Sequence, residues 1–267
     1  MNQNQYKNAS PAENDRDMVC GRNAVTELLK SDRPVDRILM AAGDNKGSLV
    51  KIAALAGKKG IPVKDVTVQK LDAITKQVHQ GVIAFCAAHT YATVEEILDR
   101  AQAAGHPPFL IITDELEDPH NLGAILRTAE ACGADGVIIP KRHNVGLTAV
   151  VGKTSAGAVE YVPVARVANI VSAMEDLKKK GVWFYAADMD GKHWCETDFS
   201  GAVGLVVGSE GKGVSRLVKE TCDFTVSLPM LGKINSLNAS VAASVLCYEI
   251  ARQRLGIPAV NKKRKDD

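Results

Sequence analysis

The apolar positions along the chain divide it into two stretches in which helices and strands alternate. Over residues 18–88, amphipathic runs predict helices and short apolar runs predict strands. Residues 108–258 have longer apolar strands separated by amphipathic helices, a pattern typical of a parallel sheet covered on both faces. Between them, residues 89–107 contain one polar helix that runs into Gly-His-Pro-Pro, where two prolines interrupt regular structure. The sequence therefore predicts a small α/β domain, a linker and a larger α/β domain.

The larger stretch alternates between predicted strands and predicted helices. The strands are FLIITDEL, GVIIP, VEYVPVA, WFYAA, AVGLVVG and FTVSLPM. The helices are NLGAILRTAEACG, ANIVSAMEDLKKKG, GVSRLVKETC and LNASVAASVLCYEIARQRLG. Outside both domains, the polar residues 1–17 predict a disordered tail, and residues 259–267 form a short basic tail.

The composition narrows the class of protein. Of the 267 residues, 46% are hydrophobic and 24% are charged, as in ordinary globular proteins. The chain has no apolar run of the roughly 18 residues that a membrane-spanning helix needs, so we expect no membrane partner. The six cysteines form no CxxC pair and the six histidines form no HxxxH pair. We therefore expect no metal site and a reducing, cytoplasmic environment.

Ligands of open parallel sheets bind beyond the carboxyl ends of the strands, and three such ends are rich in polar residues. The first segment, DELEDPHNLGAILR, runs from Asp114 to Arg127. Pro119 indicates a turn, and Asn121 is a suitable N-cap for the helix that follows. Arg127 lies among small and apolar residues, which suggests a function, although an arginine that only extends into solvent gives the same pattern.

The second segment, GLVVGSEGKGVSRL, has three closely spaced glycines after an apolar strand: Gly208, Gly211 and Gly213. Glycines at this spacing let a ligand approach the backbone. Their order matches neither a P-loop nor the dinucleotide fingerprint, and Glu210 within the loop would repel a pyrophosphate. Either the loop binds a cation or a hydroxyl group, or it is an ordinary strand-to-helix turn.

The third segment, SLPMLGKINSLNASVAASV, places Ser236 and Asn238 before a helix rich in Ala, Ser and Val. Both side chains are suitable helix caps, and on spacing alone capping is the favoured interpretation. The small residues of the helix would also let another backbone pack closely against it.

Taken in order, NLGAILRTAEACGADGVII, VVGSEGKGVS and SLPMLGKINSLNASVAASVLCYE resemble the three motifs of the SpoU (TrmH-like) family, over residues 108–256. The resemblance implies an RNA 2′-O-ribose methyltransferase that depends on S-adenosyl-L-methionine (AdoMet). It also implies a SPOUT-type α/β-knot domain, whose parallel sheet contains a trefoil knot that general rules of chain connection would exclude. Residues 18–88, with CGRNAVTELL and HQGVIAF, resemble the ribosomal-protein-L30e-like substrate-binding domain of the bacterial 23S rRNA (guanosine-2′-O-)-methyltransferase subgroup.

The resemblance implies five catalytic positions and a cofactor pocket. The catalytic positions are Asn121, Arg127, Glu210, Ser236 and Asn238. The AdoMet pocket would be built from backbone near Gly208, Leu228, Met230 and Leu237. Arg127 would act as the base that removes the 2′-hydroxyl proton, or it would stabilise the oxyanion and grip the adjacent phosphate. A guanidinium holds its proton tightly, which favours the second role.

The resemblance also implies the partners. These are ribosomal RNA, with a guanosine of 23S rRNA as the target, and a second copy of the chain in a homodimer joined through the C-terminal domain. A tRNA methyltransferase or an antibiotic-resistance rRNA methyltransferase of the same family is an alternative, and the front domain argues against the tRNA type. A non-catalytic ribosome-assembly factor would not need the intact catalytic set. A nicotinamide-dependent dehydrogenase is disfavoured by the glycine order.

The distribution of charge suits an RNA partner, although the whole chain has a net charge of only +2. Residues 18–88 hold 11 Lys and Arg against 6 Asp and Glu, a net charge of +5. Residues 89–258 hold 16 Lys and Arg against 20 Asp and Glu, a net charge of −4. Because phosphate contacts need Lys and Arg, we expect the front domain to dock RNA with an affinity that falls steeply with salt.

Overall fold

The computed structural model describes residues 18–31, 33–43, 47–86 and 89–259, which form two sheets with helices packed around them. The strands are β1 (Met18–Cys20), β2 (Val35–Ala41), β3 (Val63–Val66), β4 (Val82–Cys86), β5 (Phe109–Thr113), β6 (Gly136–Pro140), β7 (Val164–Val167), β8 (Trp183–His193), β9 (Val203–Val207) and β10 (Phe224–Ser227). The helices are α1 (Arg22–Lys30), α2 (Ser48–Lys58), α3 (Val68–Ile74), α4 (Val94–Ala104), α5 (Pro119–Ala131), α6 (Ala149–Thr154), α7 (Ile170–Lys179), α8 (Arg216–Thr221) and α9 (Ala239–Arg254). Within these residues, no helix has the length and apolar character needed to span a membrane. The tails expected at 1–17 and 259–267 lie outside the described residues, apart from residue 259.

The first sheet has the order β1-β4-β2-β3 and mixes both strand directions. β2 pairs in parallel with β3 and antiparallel with β4, and β1 pairs antiparallel with β4. α1 and α2 cover one face, where Leu49 and Ile52 are fully buried. On the other face, Leu71 of α3 packs with Leu39 and Ile83. This is the small α/β domain that the hydrophobic pattern predicts.

The second sheet is entirely parallel, with the order β10-β8-β9-β5-β6-β7. Every residue of its central strands β5 and β9 is buried, because helices cover both faces. α5 and α9 pack on one face through Leu122, Ile125 and Ile250. α4 and α7 pack on the other face through Ile97 and Met174. The prediction of a parallel sheet covered on both faces is confirmed.

Helix α4, which lies in the segment between the sheets, packs with the second sheet. Its N-terminus has the reciprocal capping bonds of a capping box, in which Thr93 and Glu96 each accept from the other's backbone N–H. Ile97 and Ala101 are buried, and Ile97 packs with the core around β5 and β6. The helix expected in residues 89–107 is thus part of the wall of the larger domain.

One predicted strand and one connection differ from the structure. VEYVPVA, predicted as a strand, forms a 3-10 turn at Ala158–Glu160, and β7 begins only at Val164. Pro163 has no N–H to donate, so the ladder cannot extend back through it. Helix α6 occurs where the hydrophobic pattern predicts no helix; its N-cap Thr148 accepts a bond from the Val151 N–H at 3.3 Å.

The predicted strand WFYAA is the beginning of a longer strand, β8, that contains a wide bulge. β8 pairs with β10 at Ala186, leaves the ladder over residues 187–191, and pairs again at Lys192. At Gly191 the chain comes back against β10, so closely that a Cβ added to Gly191 would lie 2.5 Å from the backbone of Thr225. We call residues 187–191 the β8 bulge. It projects from the edge of the sheet where the strands end.

The two domains meet at a buried ion pair. Arg166 on β7 donates through Nη1 to the Asp36 carboxylate at 2.8 Å and through Nη2 to the Asp36 carbonyl at 2.9 Å. Tyr91 donates its hydroxyl to the same carboxylate at 2.5 Å, and the Arg166 guanidinium lies 4.9 Å from the centre of its ring. Burial, and then the charge of Asp36, raises the pKa of Tyr91 far above its usual value, so the phenol remains a donor. These contacts hold the front domain against β7.

Candidate active site

The three polar segments singled out in the sequence meet at the carboxyl edge of the second sheet. The chain leaves β5 through residues 114–118, β9 through 208–215 and β10 through 228–238. Because all strands of this sheet are parallel, these connections emerge on the same side. The Asp114 carboxylate accepts a hydrogen bond from the Ser215 N–H at 2.7 Å, which ties the first connection to the second.

Asn121, Glu210 and Asn238 form one hydrogen-bonded group at this edge, which we call the amide–carboxylate cluster. The Asn121 amide donates to Glu210 Oε1 at 3.0 Å. The Asn238 amide donates to Asn121 Oδ1 at 2.9 Å and also to Glu210 Oε1. The cluster joins residues that are 89 and 117 positions apart in the sequence. Three of the five predicted catalytic residues therefore lie in direct contact.

Asn121 lies inside α5 and not at its N-cap, so that prediction is wrong. The helix begins at Pro119, and Asp118 caps it by accepting a hydrogen bond from the His120 N–H at 2.8 Å. Proline at the first helical position loses no hydrogen bond, because that N–H has no partner within a helix. Since Asp118 satisfies the helix end, both polar groups of the Asn121 amide serve the amide–carboxylate cluster.

The glycines around Glu210 close a tight hairpin. Ser209 and Gly213 exchange backbone hydrogen bonds at 3.1 and 3.0 Å. A Cβ added to Gly208 would lie 2.0 Å from the carbonyl carbon of Gly213, so any other residue would force the hairpin open. Gly211 and Gly213 have positive φ angles of 86° and 68°, which side chains disfavour. The glycine spacing thus serves to present Glu210 to the two asparagines.

Asn238 caps helix α9 and joins the amide–carboxylate cluster at the same time. Its Oδ1 accepts from the backbone N–H groups of Ser240 at 3.0 Å and Val241 at 3.3 Å. Its Nδ2 is left to donate to Asn121 and Glu210. The structure therefore confirms the capping interpretation of Asn238, and its catalytic role stays a prediction.

A cavity of about 360 Å³ lies beside the third connection. Leu228 and Met230 line it, as do Met189 and His193 from the end of β8. Of the positions predicted to bind a cofactor, Leu228 and Met230 thus lie at the cavity. Gly208 lies in the Glu210 hairpin, and Leu237 is an exposed residue of the third connection; neither lines the cavity.

An ion-pair network holds the β8 bulge that contributes Met189. Lys219 of α8 donates to the carboxylates of Asp188 and Asp190, each at 2.8 Å. These bonds raise the pKa of Lys219, and the bond from Lys219 lowers the pKa of Asp190, so these two groups stay charged at neutral pH. Sequence reasoning missed this wall of the cavity. The Asp190-Gly191 pair is a turn signal that could have indicated the bulge.

Arg127, Ser236 and Leu237 lie apart from the amide–carboxylate cluster. Arg127 is exposed on α5, about 9 Å along the helix axis from Asn121. Ser236 and Leu237 are exposed in the third connection. The described residues supply no hydrogen-bond partner for the Arg127 or Ser236 side chains. Both are thus available to an external ligand that approaches this edge.

A parallel sheet with a ligand-sized cavity and a polar cluster at its carboxyl edge defines an α/β enzyme with a small-molecule site. The sequence model of the SpoU rRNA methylase family matches residues 108–248. The model for the substrate-binding domain of RNA 2′-O ribose methyltransferases matches residues 18–92. The chain belongs to the SpoU rRNA methylase family and is an RNA methyltransferase.

Individual relatives align with this chain over 90% or more of their own length. YacO of Bacillus subtilis (strain 168), assigned to the TrmH family of tRNA/rRNA methyltransferases, is 48% identical over 239 residues, which are 89% of this chain and 96% of that protein. The SpoU methyltransferase AviRb from Streptomyces viridochromogenes, crystallised with AdoMet, aligns with a TM-score of 0.58 at 22% identity. The alignment covers 93% of this chain and 99% of the AviRb chain. The A. aeolicus TrmH/SpoU tRNA modifying enzyme aligns with a TM-score of 0.50 at 26% identity, over 63% of this chain and 90% of its own.

Replacing Glu210 removes the acceptor that two asparagine amides share. We expect Glu210→Ala to lower the free energy of unfolding by about 1–2 kcal/mol, because hydrogen bonds to a charged group exceed neutral ones in strength. Equilibrium unfolding in urea measures the change. Glu220→Ala is the control, because this carboxylate on α8 is exposed, as Glu210 is, but among the described residues it pairs with Arg216 alone. Its loss should change stability by less than about 0.5 kcal/mol. Equal effects of the two substitutions would contradict the structural role of the cluster.

Proposed function

We propose that the protein methylates the 2′-hydroxyl of a guanosine in 23S ribosomal RNA, with AdoMet as the methyl donor. The observation that carries this proposal is the amide–carboxylate cluster, which joins all three motif segments beside a cavity of about 360 Å³. A small-molecule donor and an RNA ribose can both reach this edge, because the cavity and the exposed residues 231–238 of the third connection lie there.

The cavity suits AdoMet in size and lining. Its volume lies in the range of small-molecule sites, and Met189, Leu228 and Met230 offer apolar walls beside polar backbone. AdoMet supplies a methyl group that is already activated on a sulfonium centre. The protein's own task is to orient the ribose for in-line attack and to manage the charge and proton of its 2′-hydroxyl.

We assign to Arg127 the contact with the 2′-oxygen of the ribose. A ribose hydroxyl is a poor nucleophile at neutral pH, so a cation that stabilises its developing negative charge lowers the barrier. A guanidinium keeps its proton, which makes Arg127 an anchor for the oxyanion and the neighbouring phosphate and not the base. Its exposed position on α5 is where an RNA strand would arrive.

The amide–carboxylate cluster acts as a scaffold in this proposal. The hydrogen bonds among Asn121, Glu210 and Asn238 set the positions of the three connections, while Asn238 also caps α9. Ser236 lies two residues before Asn238, on the connection that the cluster holds. Its hydroxyl is thereby available to orient the ribose.

Ribosomal RNA is favoured over tRNA because of the front domain. The aligned tRNA modifying enzyme corresponds to only 63% of this chain, so more than a third of this chain has no aligned counterpart in that tRNA modifying enzyme. We assign residues 18–88 to RNA docking, 89–107 to the linker and 108–258 to catalysis in a cytoplasmic enzyme. A non-catalytic assembly factor would not need the interlocked motif residues.

A trefoil knot is part of the proposal. β10 lies at one end of the sheet, yet residues 228–238 lead back to the end of β9. α9 then packs against α5, where Thr128 and Ser244 hydrogen-bond at 2.8 Å, on the face opposite α8. This return path crosses the connections that follow β5 and β9, which supports a threaded chain.

A second copy of the chain is the partner proposed for α9. This helix is apolar on two sides: Ala243, Leu246 and Ile250 are buried in the core, whereas Val241, Val245 and Tyr248 form an exposed stripe. An exposed apolar stripe on a helix indicates an interface. The stripe begins next to Asn238, so a homodimer formed there would adjoin the site.

Removing the Arg127 guanidinium tests the catalytic assignment. We expect Arg127→Ala to reduce methyl transfer to ribosomal RNA by about 10²–10³-fold, the size of a lost oxyanion contact, while AdoMet affinity stays within about threefold. Radiolabel transfer from AdoMet to total rRNA and to total tRNA, with calorimetry for AdoMet, measures both quantities. Arg216→Ala removes an exposed guanidinium on α8 as the control. Turnover near the wild-type value in Arg127→Ala would refute the assignment.

A charge placed in the exposed stripe of α9 tests the dimer. Val241 is 48% exposed, and Val50 on α2 is 49% exposed. We expect Val241→Asp to shift the protein to monomers in sedimentation velocity, because an unpaired carboxylate would be buried at the interface. An acidic residue in the first turn of α9 is favourable for the helix, so the fold should persist. Val50→Asp should leave a dimer. A monomeric wild-type protein, or a dimeric Val241→Asp variant, would contradict this interface.

A further inference from the structure

A loop between the two domains places consecutive basic side chains near the active site. Residues 141–148, which we call the junction loop, connect β6 to α6 and begin with Lys141, Arg142 and His143. Arg142 and His143 are exposed. Elsewhere in the larger domain, Lys178 and Lys219 are paired with aspartates, whereas the described residues offer no carboxylate to Lys141 or Arg142.

The junction loop lies at the same edge of the sheet as the amide–carboxylate cluster. It begins at the carboxyl end of β6, which pairs with β5. The Asn144 side chain accepts from the Leu116 N–H at 2.9 Å and from the Thr113 hydroxyl at 3.1 Å. The Val145 N–H donates to the Leu116 carbonyl at 2.8 Å. The basic residues are therefore fastened to the connection that leads into Asn121 and α5.

The other side of the junction loop is fastened to Tyr91 and Arg166, the two residues that hold Asp36 of the front domain. Tyr91, which holds Asp36, accepts a hydrogen bond from the Leu147 N–H at 2.8 Å. Arg166, which pairs with Asp36, also donates to the Lys141 carbonyl at 3.3 Å. Asp36 neutralises the Arg166 charge, whereas Arg142 of the loop is exposed to solvent.

The Lys141 ammonium comes close to the front domain itself. A Cβ added to Gly60, in the turn after α2, would lie 3.0 Å from Lys141 Nζ. That turn follows Lys58 and Lys59 in the part of the chain with a net charge of +5. The basic surface of the front domain therefore continues through Lys141 and Arg142 toward the active-site edge.

We propose that Lys141, Arg142 and His143 form a contact site for RNA backbone phosphates between the docking domain and the catalytic edge. This inference rests on the proposed function, because it takes RNA as the substrate. Phosphate contacts fix the register of a nucleic acid, and basic side chains provide them without reading the sequence. A strand bound at this loop would be held in place before its ribose reaches Arg127.

The test removes two adjacent cations at the junction loop and, as the control, two at the opposite edge of the sheet. Lys141→Ala/Arg142→Ala is compared with Lys179→Ala/Lys180→Ala, at the end of α7 just before β8 begins. Both double variants lower the net charge equally. Filter binding to an in vitro transcript of 23S rRNA, over a series of salt concentrations, is paired with calorimetry for AdoMet.

We expect Lys141→Ala/Arg142→Ala to bind the transcript about tenfold or more weakly and to reduce the slope of log affinity against log salt by about 1 to 2, with AdoMet affinity unchanged. The control should keep the wild-type slope. Identical RNA binding by the two variants would overturn the inference, as would a parallel loss of AdoMet affinity in the loop variant. Failure of the wild-type protein to bind RNA would instead overturn the proposed function and, with it, this site.

Discussion

The Glu210 carboxylate, shared between the amides of Asn121 and Asn238, is the interaction on which the site depends. It joins the connections that follow β5, β9 and β10, whereas the hydrogen bond between Ser215 and Asp114 joins the first two of them. The hairpin from Ser209 to Gly213 brings the carboxylate there, and it closes only because Gly208 has no side chain. A carboxylate that accepts from two amides, one of them on the buried Asn121, stabilises all three connections together. The cavity beside the third connection and the start of α9 therefore share one support.

The larger sheet and the front domain are joined in a comparable way. Arg166 and Tyr91 both donate hydrogen bonds to the buried Asp36. The same two residues also form hydrogen bonds with the backbone of the junction loop. Breaking such a pair would leave a buried charge without a partner, which is costly. The few residues of this contact therefore define the position of one domain relative to the other. An enzyme that docks a large RNA in one domain and reacts with one ribose in another needs this fixed geometry.

The sequence predicts much of this because apolar periodicity reports burial. The continuous apolar runs FLIIT and VGLVV predict central strands, and every residue of both strands is buried. The three motif segments can also be recognised in the sequence alone. Local sequence patterns gave wrong predictions where the role of a residue depends on a partner far away in the sequence. Asn121 has the chemistry of a helix cap, but Asp118 performs that function and leaves Asn121 to partners 89 and 117 residues away. The β8 bulge is held by Lys219 from another element, which spacing along β8 cannot reveal.

Methylation of a ribosomal RNA ribose by these residues can be tested by mapping 2′-O-methyl groups, which resist alkaline hydrolysis, in RNA from cells with and without this gene. We expect one guanosine of 23S rRNA to lose its 2′-O-methyl group when the gene is absent. A copy of the gene should restore the methyl group, whereas the Arg127→Ala copy should not. Loss of a methyl group only from tRNA, or from no RNA, would refute the proposed function.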